Sequence, residues 1–185
     1  MTEKPSHSRP PPAPPRDLIE TEGFQDYQLL DSGAGRKLER FGAIVVDRPE
    51  PQALWQPRLA KADWGKAHAV FSASGEDDEK GRWRVDRPVP ESWPVRLSIP
   101  GAGGAKGTTV TVLCKLQGLW HLGLFPEQVP HWGWMLERIA QVKGEPARVL
   151  NLFGYTGAAS LLAAAAGAHG PAHDAATAKP SQGAP

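Results

Sequence analysis

Arg148-Val-Leu-Asn-Leu-Phe153, Gly154-Tyr-Thr-Gly157 and Ala158-Ala-Ser-Leu-Leu-Ala-Ala-Ala-Ala166 run together as strand, tight turn and helix. The first run is short, apolar and branched, the pattern of a parallel strand buried on both faces. The Ala/Leu run is a strong helix former, and Gly167 closes it. A strand that turns sharply into a helix aims free backbone N–H groups and the positive helix end at a small anionic group. Gly154 and Gly157 let a ligand approach the backbone, and Thr156 is placed to cap the helix. In open α/β sheets such loops lie at the carboxyl ends of strands, where ligands bind. Neither G-x-G-x-x-G nor a Gly-Lys-Ser/Thr phosphate loop is present. A carboxylate-bearing ligand fits what remains. From spacing alone, an ordinary strand-to-helix turn fits as well.

Upstream, Pro126 and Pro130 open a helix over His131–Lys143. Trp132, Met135, Leu136, Ile139 and Val142 form its apolar face, and Gly144 is its stop. Before Phe125 the runs are short and β-rich. Tyr27–Leu30, Arg36–Phe41 and Ala43–Val46 are joined by turns at Asp31–Gly35 and Gly42. His68–Phe71 pairs with Arg82–Val85 across Gly75–Gly81. Val95–Ile99 pairs with Thr108–Leu113 across Gly101–Gly107, a hairpin tip. These runs predict an antiparallel sheet or small barrel. The fold class is therefore α+β followed by α/β: a β-rich N-terminal module, then the first strand–loop–helix of an incomplete doubly wound fold. The boundaries fall at 1–23 (a Pro-rich disordered tail), 24–125 (the β-rich module), 126–168 (the start of the α/β domain) and 169–185 (a disordered tail).

Composition agrees with a loop-rich soluble chain. Of 185 residues, 20 are Gly and 19 are Pro. The 21 Lys and Arg nearly balance the 20 Asp and Glu, which excludes a highly basic coat or an acidic tail. The single cysteine, Cys114, excludes an intramolecular disulfide framework and lies in an apolar strand run, as a structural core residue does. His68, His121 and His131 lack metal-ligand spacing, so no metal is expected. Met1–Pro15 has no apolar signal core, and Ala158–Ala168 is too short to span a bilayer, so a cytoplasmic location without membrane association is expected. Arg36, Lys37, Arg40, Arg82, Arg84 and Arg87 are candidates for a basic face, with Phe71, Trp83 and Trp93 as stacking rings. Solvated charge over a packed aromatic core explains the same residues.

Three ordered stretches carry a resemblance. Val149–Gly157 resembles the first cofactor motif of class I S-adenosylmethionine-dependent methyltransferases, in the form found in the rRNA large-subunit cytosine-C5 group. Asp26–Gly42 is similar to the same group, as is His121-Leu-Gly-Leu-Phe-Pro-Glu-Gln128 with Trp132. Together they cover about 24–168. The resemblance implies S-adenosylmethionine as cofactor and an RNA base as methyl acceptor. It implies that Asn151, Phe153, Gly154, Tyr155, Thr156 and Gly157 line the methionine side, with Phe125 and Gln128 beside it. Glu127 is a further candidate, although an acid at a helix start is also favourable through the dipole alone. The resemblance ends near 168. The second strand with its ribose-binding acid has no counterpart; Asp174 is the one remnant candidate, behind Gly170 and Pro171. No Asp-Pro-Pro catalytic loop occurs, so no catalytic residue is assigned, and Cys114 has no match to a catalytic thiol. The expectation is a C-terminally truncated methyltransferase, weak or inactive alone, through a frameshift or otherwise. The alternative is a non-catalytic RNA- or partner-binding module.

Overall fold

In β6 (Trp93–Ile99) every second side chain, Trp93, Val95, Leu97 and Ile99, is buried, and β7 (Thr108–Cys114) answers with Val112 and Cys114. That alternation is what a two-stranded ribbon with one covered face requires. The computed structural model describes residue 21 and residues 24–74, 77–101 and 107–170. The expected tails, 1–23 and 169–185, lie almost wholly outside these residues, as do Asp174 and most of the Gly101–Gly107 tip.

A second sheet has five strands in the order β1 (Tyr27–Gly33), β2 (Arg36–Phe41), β3 (Ile44–Pro49), β4 (Ala69–Ser74) and β5 (Asp77–Val85). The β1–β2–β3 and β4–β5 pairings are antiparallel, as the turns predict. The β4 and β5 strands extend into the stretch expected to be a long loop. The β3–β4 pairing corrects the expectation of a wholly antiparallel sheet: Val46 and Asp47 pair in parallel with Ala69 and Val70. Residues 50–68 carry the chain back across the sheet, so β4 re-enters in the direction of β3. This crossover holds a short helix, α1 (Lys61–Trp64), that the sequence did not signal. Its anchor is Asp31, at the irregularity in β1, whose carboxylate accepts the Leu59 N–H (2.9 Å), the Arg58 N–H (3.2 Å) and the Trp64 Nε1–H (3.0 Å).

α2 (Val129–Gln141) follows a 3-10 turn at Pro126–Gln128 and buries Val129, Trp132 and Leu136. Val142 is exposed rather than part of that face. α3 (Ala158–Ala165) buries Ala158, Leu162 and Ala163. α2 touches β6 and α3, and α3 touches β7, so the ribbon is the floor on which both helices rest. One continuous buried cluster runs from Phe41, Val46 and Ala69 through Val95, Leu97 and Cys114 to Leu136 and Leu162. The Trp93 indole ties ribbon to sheet by donating to the Phe41 carbonyl at 3.0 Å.

Within the sheet side of this core lies an ion pair. Arg48 donates through Nε and Nη2 to Glu39, and Tyr27 donates its hydroxyl to the same carboxylate at 2.9 Å. Both charged residues are almost fully buried, and the remaining Arg48 nitrogen reaches the Trp120 carbonyl at 3.3 Å. Burial alone would lower the Arg48 guanidinium, but the Glu39 hydrogen bonds and charge outweigh it and raise it.

Arg148–Phe153 is the clearest departure from the sequence reading. It is extended but is not a buried strand. The Val149 N–H donates to the His169 carbonyl and the His169 N–H to the Ala147 carbonyl, both at 2.8 Å, giving a parallel bridge between Arg148 and His169, and Asn151 and Phe153 are bridge residues as well. Leu150, Leu152 and Phe153 remain exposed. A parallel strand is buried when neighbours and helices cover it on both sides. Among the described residues no ladder with further strands forms around it.

Candidate functional site

Hydrogen bonds hold the loop between the strand-like segment and the helix. Asn151 accepts the Phe153 N–H on Oδ1 at 3.1 Å and donates from Nδ2 to the Ser160 hydroxyl at 3.0 Å, so one side chain latches the loop to α3. The Gly157 N–H closes a turn onto the Gly154 carbonyl at 2.6 Å. Two successive left-handed features make that turn possible: Tyr155 at φ 44° and Gly157 at φ 86°. A side chain with a Cβ is disfavoured there, which is why glycine suits position 157.

Gly157 is the N-cap of α3, and it gives the helix no side-chain cap. The expectation that Thr156 caps α3 is therefore corrected. The Thr156 hydroxyl instead donates to the Gly123 carbonyl at 2.6 Å, because the left-handed turn carries its side chain toward residues 121–125. The first-turn N–H groups of α3 are left without an intrahelical acceptor, as at every helix start.

The cleft beside this turn has a volume of about 590 Å3. Phe125, Gln128, Asn151, Phe153, Gly154, Tyr155 and Thr156 all line it, seven of the sequence candidates in one wall. Gly157 is not in the wall itself but sits between Thr156 and the lining residue Ala158, and a Cβ built on it meets nothing within 4 Å. Glu127 lines the cleft too and is its charged side chain. Phe125 and Tyr155 meet with ring centres 5.1 Å apart, and His121 packs behind Phe125 at 4.9 Å. Sequence reasoning missed Gly123, Leu124, Ala158 and Ala159, which also line the cleft. Only the quoted motif around Gly123 hinted at them; apolar floor residues carry no chemical signature of their own.

The donor set suits an amino-acid-bearing cofactor such as S-adenosylmethionine. An uncapped helix start and a Cβ-free residue suit its carboxylate, Glu127 suits a positive group, and the Phe125–Tyr155 pair supplies an apolar wall.

The other candidates fall elsewhere. Cys114 is fully buried, and desolvation pushes its thiol up to about 12. His68 accepts the Val45 N–H at 3.1 Å, and no group of three or more metal-ligating side chains occurs among the described residues. The proposed stacking rings cannot stack: Phe71 and Trp93 are buried in the core, and Trp83 packs edge-on against Phe71. Four of the proposed basic residues are already engaged. Arg36 pairs with Asp47, Lys37 with Glu50 and Arg84 with Asp86, while Arg40 donates to backbone carbonyls. Arg82 and Arg87 are exposed. No described helix is long and apolar enough to cross a membrane.

No protein-family profile matches the chain, and no curated protein matches it. Among solved structures, it is similar to the crystal structure of the SAM-dependent methyltransferase from Agrobacterium tumefaciens. The identity is 42% and the TM-score 0.73, over 86% of this chain and 46% of that one. The chain thus spans a little under half the length of that methyltransferase.

Proposed function

We propose that the cleft at the start of α3 binds S-adenosylmethionine and that the chain supplies the cofactor-loading part of a methyltransferase acting on an RNA base. One observation carries the reading: the uncapped α3 start, with left-handed Gly157 open beside it, faces into a cleft that seven of the motif residues line. The likeness to a solved methyltransferase at 42% identity supports it. The RNA acceptor is supported by the resemblance of three motifs to the rRNA group. The first-turn N–H groups of α3 would hold the cofactor carboxylate, and Glu127 and Gln128 its amino group. Asn151 holds the loop in place through Ser160, and Thr156 holds it against Gly123. When bound, the cofactor supplies a methyl group carried on a positively charged sulfur.

On this reading the 185 residues bind cofactor but transfer methyl groups slowly or not at all by themselves, because Leu150, Leu152 and Phe153 of the segment under the loop are exposed. The same openness favours a second reading, a non-catalytic RNA- or partner-binding module. Calorimetric titration with S-adenosylhomocysteine separates the two. Saturable heat, lost in Asn151→Ala, is the expected result; a flat titration of the folded chain overturns the cofactor reading and leaves the module. Measurable methylation of rRNA by the chain alone would refute the expectation of inactivity.

A further inference from the structure

The outer face of the five-stranded sheet carries a second cavity that the cofactor reading does not use. Arg36, Asp47, Val70 and Arg84 rise from β2–β5 on the side away from Phe41, Val46 and Phe71, and Leu59 and Trp64 of the crossover stand over them. They enclose about 530 Å3, inside the range of roughly 300–1,000 Å3 typical of small-ligand sites.

Its floor is a rigid donor–acceptor pair. Arg36 donates Nε to Asp47 Oδ1 at 2.6 Å and Nη2 to the carbonyls of Asp47 and Phe71 at 3.2 and 2.9 Å, which mounts the guanidinium across three strands. Its Nη1 and the Asp47 Oδ2 make no hydrogen bond among the described residues, and neither is sealed from solvent. A free donor beside a free acceptor complements the edge of a nucleobase, whereas a bare phosphate, which only accepts, would leave the Asp47 oxygen without a donor. Trp64, held by its indole N–H on Asp31, adds an aromatic wall. Nearby, Trp55 is 57% exposed and fixed by its Nε1–H on the Ser32 carbonyl at 2.9 Å.

The rim is positive. Among the described residues, Asp47 is engaged by Arg36, Asp63 by Lys66, Asp86 by Arg84, and Asp31 by the N–H groups of Arg58, Leu59 and Trp64. Arg58, Lys61 and Arg82 are exposed and make no ion pair among the described residues. Lys61 lines the cavity, Arg58 lies between the lining residues Pro57 and Leu59, and Arg82 shares the strand face of Arg84. Exposed aromatic surface beside unpaired cations is the physical signature of a single-strand binding surface.

We propose that this trough binds an unpaired nucleotide of single-stranded RNA, its base against Arg36, Asp47 and Trp64 and the flanking phosphates on Arg58, Lys61 and Arg82. The choice of RNA rests on the acceptor proposed above, while the site itself is independent of the cofactor cleft. The test is fluorescence anisotropy of an unstructured RNA of about 12 nucleotides, the length a single-strand site covers, with the full chain. Saturable, salt-sensitive binding is expected. The triple variant Arg58→Glu/Lys61→Glu/Arg82→Glu weakens it about tenfold or more and lowers the log–log salt slope by at least about 2. The S-adenosylhomocysteine titration stays unchanged, so failure here is distinct from failure of the cofactor reading. If the triple variant melts early, Lys61→Ala carries the same test, with the slope falling by about 0.7. Photocrosslinking of 4-thiouridine RNA is expected to label the peptide 62–66, which contains Trp64. No binding by the wild type, equal binding by the folded variant, equal binding of the RNA duplex, or crosslinks confined to the cleft each overturn the proposal.

Discussion

Replacing Gly157 by alanine separates what the backbone loses from what the ligand loses. Gly157 has φ +86° and open space around a built Cβ, so the substitution meets no atom of the protein. The cost to the fold is conformational: a left-handed non-glycine residue costs about 1–2 kcal/mol, and alanine recovers about 0.4–1 kcal/mol by restricting the unfolded chain. The net loss is about 1 kcal/mol. Gly144 (φ +89°) and Gly167 (φ +84°) have the same backbone and the same empty surroundings, but neither borders the cleft. Gly144→Ala and Gly167→Ala therefore supply matched controls for strain. The ligand term differs. At 157 the new methyl group stands at the α3 start and holds a carboxylate off its N–H groups. A charge-assisted hydrogen bond contributes about 1.5–3 kcal/mol, so affinity for S-adenosylhomocysteine falls roughly ten- to a hundredfold. Asparagine tolerates the left-handed region, so Gly157→Asn stays close to wild-type stability yet binds as weakly as Gly157→Ala. Urea unfolding gives the first quantity and calorimetry the second. Wild-type affinity in Gly157→Asn, or an equal loss in Gly144→Ala, would refute the placement of the cofactor at α3.

Further outcomes follow from the charged and nucleophilic groups. Arg48→Met leaves the Glu39 carboxylate buried with the Tyr27 hydroxyl alone and costs about 3–5 kcal/mol, roughly 10 °C in melting temperature; Glu39→Leu/Arg48→Met recovers most of it, and additive losses would refute the pairing. Cys114, with its thiol pushed up to about 12 by burial, stays unreactive toward a thiol reagent at pH 8 until the chain unfolds; rapid native labelling would contradict its place in the core. Asp31 gives a pH signature. Desolvation by burial would raise its carboxyl, but hydrogen bonds from Leu59, Arg58, Trp64 and Ser32 together hold it below the ordinary value. With a folded pKa below the unfolded value of about 3.9, its stabilisation is complete above that pH and is lost as pH falls through the folded pKa. The stability gap between wild type and Asp31→Asn is thus expected to shrink on acidification, and a gap that stays constant down to acid unfolding would count against it.

The readable parts of this chain are those where pattern is local. Turn residues at Asp31–Gly35, Gly42 and Gly101–Gly107 between short β-rich runs mark the hairpins, because each pairing there is set by neighbours in sequence. The β3–β4 pairing was not readable, since it depends on a crossover whose course is fixed by side chains far from either strand, above all by Asp31 gathering Arg58, Leu59 and Trp64. The cleft residues were legible through a motif, and their convergence follows from the turn itself. Thr156 was misassigned because capping is a rule of spacing, and spacing does not record that a left-handed Tyr155 turns the next side chain toward Gly123. Arg148–Phe153 was misread for a different reason. An apolar run states that a segment is able to be buried, while burial itself needs partners on both sides. Those partners are not local, so the same six residues describe a buried strand in one context and, in this one, a segment with Leu150, Leu152 and Phe153 exposed. The outer trough is the extreme case: Arg36 and Asp47 lie on different strands and read as ordinary surface charge, and it takes their cross-strand register, with Leu38 opposite Asp47 and Arg36 opposite Pro49, to bring them onto one face.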